Sequence, residues 1–205
     1  MDENNISSEI ISVRELLQNK ENIAIPNYQR PYKWTTKNVN QLIDDILIHK
    51  EKSEYRLGTL VLHNHDGVFD IVDGQQRTIT LTLIAHAIIQ KQGKTKEEEK
   101  ALKNFDLKRL NLSFANDISK ANIQNNFKQI ERRIADFDEK LIWFFLEKCT
   151  LVKVVLSDIS EAFQFFDSQN ARGKDLEPHD LLKAFHLREM NNFSTEEERK
   201  KTVEK

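Results

Sequence analysis

The chain has 205 residues, with 31 Lys and Arg against 33 Asp and Glu and a formal net charge of −2, so no global basic field draws it onto nucleic acid or a membrane surface. Hydrophobic residues make up 39% and charged residues 31%, which excludes a disordered chain. Five glycines and three prolines, about a third of average usage, exclude collagen and flexible linkers and point to helices.

The acidic, polar start from Met1 to Asn5 is not a secretory signal. The longest uncharged stretch, Thr78 to Gln90, is well short of the roughly 20 apolar residues of a membrane span. A lone cysteine, Cys149, closes no intramolecular disulfide and fits a reducing, cytoplasmic setting.

In chain order, Ser12 before Val13, Leu16 and Leu17 predicts a short helix, and Ile23–Ala24–Ile25 an extended segment ended by Pro26. An aromatic, basic loop follows from Tyr28 to Trp34. Thr35 or Thr36 can cap a helix whose Val39, Leu42, Ile43, Ile46 and Leu47 form one apolar stripe. Tyr55–Leu62 and Val68–Val72 read as a β-hairpin around His65–Asp66–Gly67. From Gln75 to Gln90 the spacing of Ile79, Leu83, Ile84, Ala87 and Ile88 predicts a helix with no charged face, hence a central, buried one.

The charge-dense segment 93–108 marks a soft boundary. Helices are predicted over 117–137 and 139–148, a strand over 151–156, and a helix after Ser160 that Gly173 ends; Pro178 opens another. Eight charges in the last eleven residues, Thr195 to Lys205, read as a chain that continues. The predicted organisation is a core over 1–93 and a mainly helical part over 94–205.

Three polar constellations interrupt this pattern. Asp73–Gly74–Gln75–Gln76–Arg77 sits where a strand run meets a long apolar helix. Free N–H groups and the helix dipole favour an anion there, Gly74 permits close approach, and Arg77 adds a phosphate fork. Asp73 can hold a metal or orient a water, and the glutamines can bond ribose, base or water. The same residues also read as a capped helix whose Asp73 pairs with Arg77, and spacing alone does not decide between the two.

The loop from Ile25 to Trp34 sets cations among three aromatics. It can stack on bases and meet phosphate, or its aromatics simply cover the core. Asn170–Ala171–Arg172–Gly173–Lys174 reads as a glycine C-cap with dipole-matched cations, or as a cationic contact. His63–Asn64–His65, adjacent at a strand end, cannot supply a ββα nuclease site and reads as hairpin. One cysteine excludes a thiolate zinc site, and no Walker, Rossmann or nucleophile-elbow motif occurs.

In order, Ile-Pro-x-Tyr-Gln-Arg-x-Tyr-x-Trp at 25–34, Leu-Gly-Thr-Leu-Val-Leu at 57–62, Asp-Gly-Gln-Gln-Arg at 73–77 and Asn-x-Arg-Gly-x-x-Leu at 170–176 resemble the N-terminal domain of GmrSD-type restriction endonucleases. These form a ParB-like family of bacterial phage-defence proteins, and the resemblance spans roughly residues 10 to 190.

It implies an α/β (α+β), helix-rich fold in which a small ParB-like sheet and its hairpin pack on a central helix. It also implies an NTPase that senses foreign or modified DNA. Carried over, Asp73, Gln76 and Arg77 are catalytic, with Asp73 also at a Mg²⁺ that accompanies the NTP. Gln29, Arg30, Gly74, Gln75, Asn170 and Arg172 bind nucleotide. The partners implied are NTP, DNA and an HNH-type nuclease domain, which this chain lacks. The competing reading is a non-catalytic DNA-binding or protein-interaction domain.

Overall fold

A computed structural model describes residues 6–19, 21–26, 29–92 and 116–158. Among these residues five strands form one mixed sheet: β1 (Ser7–Ser12), β2 (Asn22–Ala24), β3 (Tyr55–His65), β4 (Val68–Asp73) and β5 (Cys149–Leu156), in the order β1-β5-β3-β4-β2. The pairs β1–β5 and β3–β4 are antiparallel, and β3–β5 and β2–β4 are parallel. β5 is a nearly continuous apolar run, as a strand covered on both faces must be. It enters the sheet between β1 and β3, so the sheet draws on residues on both sides of position 93.

Among the described residues, five α-helices accompany the sheet: α1 (Val13–Gln18), α2 (Thr36–His49), α3 (Gln75–Gln92), α4 (Asp117–Arg133) and α5 (Glu139–Trp143). Ser12 ends β1 and caps α1. Its Oγ accepts the Glu15 N–H at 3.1 Å, and its own N–H donates to Glu15 Oε2 at 2.7 Å, a reciprocal capping box that satisfies two otherwise orphaned donors. The stripe Val39, Ile43 and Ile46 of α2 is buried, as its spacing predicts, in one core cluster with Leu81, Ile84, Ala85 and Ile88 of α3, Leu60 and Leu62 of β3, and Ile130 of α4.

The hairpin closes through Asp66 (φ +51°) and Gly67 (φ +81°), two positive φ values in a two-residue loop that fix its register. Lys153 of β5 is 4% exposed, yet its Nζ meets Glu9 at 3.0 Å and Glu21 at 2.6 Å, which offsets the cost of burying a charge.

Two expectations are adjusted. β1, mostly polar and at the sheet edge, has no strong period-two pattern and escapes sequence reading. The helix expected over 139–148 is regular only to Trp143, then widens into a π-helical turn, Phe144–Lys148. That turn carries three consecutive residues, Phe144, Phe145 and Leu146, into the core, more than one regular helical face can bury.

Candidate functional site

β4 ends at Asp73 and α3 begins at Gln75, with Gly74 alone between them. Gly74 turns the chain at φ +93°, and a Cβ there would lie 2.9 Å from the Thr59 carbonyl oxygen and 3.2 Å from Leu60 Cα. The junction is therefore pressed onto the backbone of β3, at a distance and a φ that glycine alone accepts without strain. The Thr78 N–H is the first that α3 closes on itself, onto the Gly74 carbonyl at 2.9 Å. The N–H groups of Gln75, Gln76 and Arg77 precede it at the positive end of the helix dipole.

Arg77 lies back over the same strand. A Cβ on Gly58 would come within 2.6 Å of Arg77 Nη1 and 2.8 Å of Cζ. Gly58 follows a register shift of β3 against β5 between Arg56 and Gly58, and its φ is +135°. The bulge and the missing side chain together leave a bare bed on β3 in which the guanidinium rests.

Burial dominates the electrostatics. It pushes the Asp73 carboxyl above its ordinary range, against the opposing pull of the Gly74 N–H, Arg77 and Arg30. Burial likewise depresses the Arg77 guanidinium, opposed by Asp73 and Tyr55. The two charges thus feel each other, yet among the described residues they make no direct ion pair. The capped-helix reading, in which Asp73 pairs with Arg77, requires that pair.

Gln75, 6% exposed, has an Oε1 with no hydrogen-bond partner among the described residues, and the same is true of the fully buried Thr78 hydroxyl three residues on. Buried polar atoms are normally bonded, so this end of α3 holds unspent acceptors beside two charges that are not ion-paired with each other.

The sign of the Asp73 shift gives a stability prediction. With its native pKa raised, the native state disfavours the ionised carboxylate above that pKa, whereas below the ordinary Asp range both states are protonated and the difference vanishes. Asp73→Asn is therefore expected to raise the melting temperature at neutral pH, with the gain fading as pH falls through the raised native pKa. Thermal melts of both proteins across pH check this.

The loop before α2 is fastened from two sides. Gln76 Oε1 accepts the N–H groups of Lys33 at 2.8 Å and Trp34 at 3.1 Å, and its Nε2 donates to the Pro31 carbonyl at 3.2 Å. From α4, Ser119 Oγ accepts the Tyr32 N–H at 2.9 Å, Asn122 donates to the Tyr32 carbonyl at 2.9 Å, and Asn126 donates to the Trp34 carbonyl at 2.7 Å. Tyr32 is fully buried, its hydroxyl bonded to Thr80 at 2.8 Å and Asn126 at 2.9 Å. Gln29 Nε2 donates to the carbonyls of Ile71 at 2.9 Å and Val72 at 2.8 Å, tying the loop's start to the end of β4.

Gln76→Leu is expected to cost about 2–4 kcal/mol, because three loop backbone groups lose their partner. Denaturant unfolding measures the loss, and amide hydrogen exchange at Lys33 and Trp34 rises if the loop is released.

The fold thus gathers Asp73, Gly74, Gln75, Gln76 and Arg77 with Gln29 and Arg30 at one junction; Asn170 and Arg172 lie outside the described residues. Of the two glutamines, Gln76 has its amide engaged with the loop and Gln75 presents the unspent oxygen. Sequence reading missed Gly58 as the bed for Arg77, and it missed the α4 clamp. A signal existed for the clamp: Ser119, Asn122, Asn126, Gln129 and Arg133 repeat at spacings of three and four where an apolar seam is usual. Gln129 and Arg133 reach Asn40 at 2.9 and 3.2 Å, extending that polar seam onto α2.

A family model described as GmrSD restriction endonuclease, N-terminal domain, matches residues 13–187. No curated protein matches the chain significantly. Among the described residues, no helix is long and apolar enough to cross a membrane.

Proposed function

Because the chain belongs to the family of GmrSD restriction endonuclease N-terminal domains, we propose that it is the nucleotide-binding and hydrolysing module of a restriction or phage-defence protein, with its site at the junction of β4 and α3. The observation that carries this reading is the state of Asp73 and Arg77: both are withdrawn from water, yet they are not paired with each other. Charges kept in that state at a helix N-terminus favour a ligand that supplies the missing partners.

In this reading the N–H groups of Gln75, Gln76 and Arg77 and the Arg77 guanidinium hold the transferring phosphate. Arg30, whose charge acts on Asp73, approaches from the loop; Asn170 and Arg172 complete the set. A water oxygen attacks the γ-phosphorus, the bond to the β–γ bridging oxygen breaks, and Asp73 accepts the water's proton. Gln76 acts by holding the loop in place and Gln75 by its free oxygen.

The donor set fits Mg²⁺, which takes one or two carboxylates together with phosphate oxygens and waters. Asp73 and Gln75 Oε1 would hold it, and when bound it neutralises phosphate charge. DNA and a nuclease domain are the partners proposed for the whole protein. A cytoplasmic setting is proposed with it, since the lone Cys149 closes no intramolecular disulfide.

Phosphate release from each NTP with Mg²⁺, with and without DNA, tests the proposal. Saturable release that chelation abolishes supports it. Salt-sensitive DNA binding without NTP consumption supports instead a non-catalytic phosphate clamp.

A further inference from the structure

The tip of the hairpin carries a second constellation. His63 and His65 alternate along β3 and so share one face. Asp70 stands directly opposite His63 in the β3–β4 register. The two-residue Asp66–Gly67 turn fixes that register, so the three side chains are brought together by the backbone rather than by chance rotamers.

Their ligand atoms all lie within 4.8 Å of one another. His65 Nε2 is 2.9 Å from Asp70 Oδ2, and the two imidazoles stand 5.5 Å apart by ring centroid. Ligands on a tetrahedral ion at the usual Zn–N and Zn–O distances are about 3.3 Å apart, so small side-chain rotations bring the set to that spacing.

A His65–Asp70 pair on its own leaves one atom unexplained: His63 Nδ1 is buried and has no hydrogen-bond partner among the described residues. A cation between the three groups gives that nitrogen its partner and replaces the proton between His65 and Asp70.

We propose that His63, His65 and Asp70 form a binding site for a divalent transition-metal ion of the Zn²⁺ type. The site lies at the hairpin tip, and Asp70 is about 10 Å along β4 from Asp73. Two imidazoles and one carboxylate suit such an ion rather than Mg²⁺ or Ca²⁺, which prefer all-oxygen sets. Three protein ligands leave a position for water, and the ion ties β3 to β4 through side chains on one face of the last pairs of their ladder.

The test uses the untagged, metal-stripped full chain, titrated with Co²⁺ and Zn²⁺ and followed by calorimetry and by Co²⁺ visible absorption. The expected result is one Co²⁺ per chain with the intense absorption of a tetrahedral site, displaced by Zn²⁺ and not by Mg²⁺. His65→Gln and Asp70→Asn are each expected to weaken binding by on the order of 10²-fold or more, since loss of even an outer-shell partner costs 10–100-fold. His65 is exposed, so the metal-free melting temperature of His65→Gln stays close to that of the unaltered chain and separates lost ligation from lost folding. Absence of stoichiometric binding, or binding equally tight in both variants, overturns the proposal.

Discussion

Arg77→Ala is expected to lower NTP turnover by on the order of 10³-fold or more, the scale on which arginines that stabilise phosphoryl-transfer charge are felt, without unfolding the chain. The guanidinium lies in a partly buried bed on β3 over Gly58, where a charge acts through a lower dielectric than water and needs no reorganisation as the phosphate charge develops. Removing it takes away the site's main cation while leaving the core residues of α3 in place. Arg77→Lys restores only part of the rate, because an ammonium is a point charge and does not reproduce the planar, two-pronged contact. Steady-state phosphate release, with circular dichroism confirming the fold, reads both variants.

The two glycines that shape the junction are expected to fail in different ways. In Gly74→Ala the new Cβ meets backbone, the Thr59 carbonyl oxygen at 2.9 Å and Leu60 Cα at 3.2 Å, at φ +93°. Neither neighbour is free to move, so the cost is about 2–4 kcal/mol of stability. In Gly58→Ala the three atoms nearest to the Cβ all belong to the far end of Arg77, with Nη1 at 2.6 Å. The side chain swings out, and stability falls by about 1–3 kcal/mol for the positive φ, while turnover falls nearly as far as in Arg77→Ala.

A double-mutant cycle separates the two effects. With Arg77 already removed, Gly58→Ala costs little further activity, so the two substitutions are strongly non-additive in rate. Additive losses would mean that Gly58 does not act through Arg77.

Where local chemistry is decided by a few adjacent residues, the sequence is a good guide to this fold. Asp66–Gly67 marks the hairpin turn, the Val39–Ile43–Ile46 stripe marks α2, and the change at Gly74 from period two to helical spacing marks both the end of β4 and the start of α3. What the sequence does not reveal is long-range. β1 is a strand because β5 pairs with it, not because Ser7–Ser12 has strand character.

The same holds at the site. Spacing alone leaves open whether Asp73 and Arg77 cap the helix together or stay apart, and whether Gln75 and Gln76 share a role. Those answers depend on Gly58 and on the loop backbone at Pro31, Lys33 and Trp34, distant in sequence and brought near by the sheet. Within the loop, Tyr32 is fully buried in a hydrogen-bonded clamp, as the core-covering reading expects, whereas Arg30 is exposed and its charge acts on Asp73.

Equilibrium binding of a Mg²⁺–NTP complex to the full chain tests most directly whether the Asp73–Arg77 junction is the proposed nucleotide site. Calorimetric titration with a non-hydrolysable NTP analogue is predicted to give one saturable site per chain, weakened by on the order of 10-fold or more in Arg77→Ala through loss of a charge-assisted contact to phosphate. Failure of any NTP analogue to bind, or binding of undiminished affinity in Arg77→Ala, would contradict it.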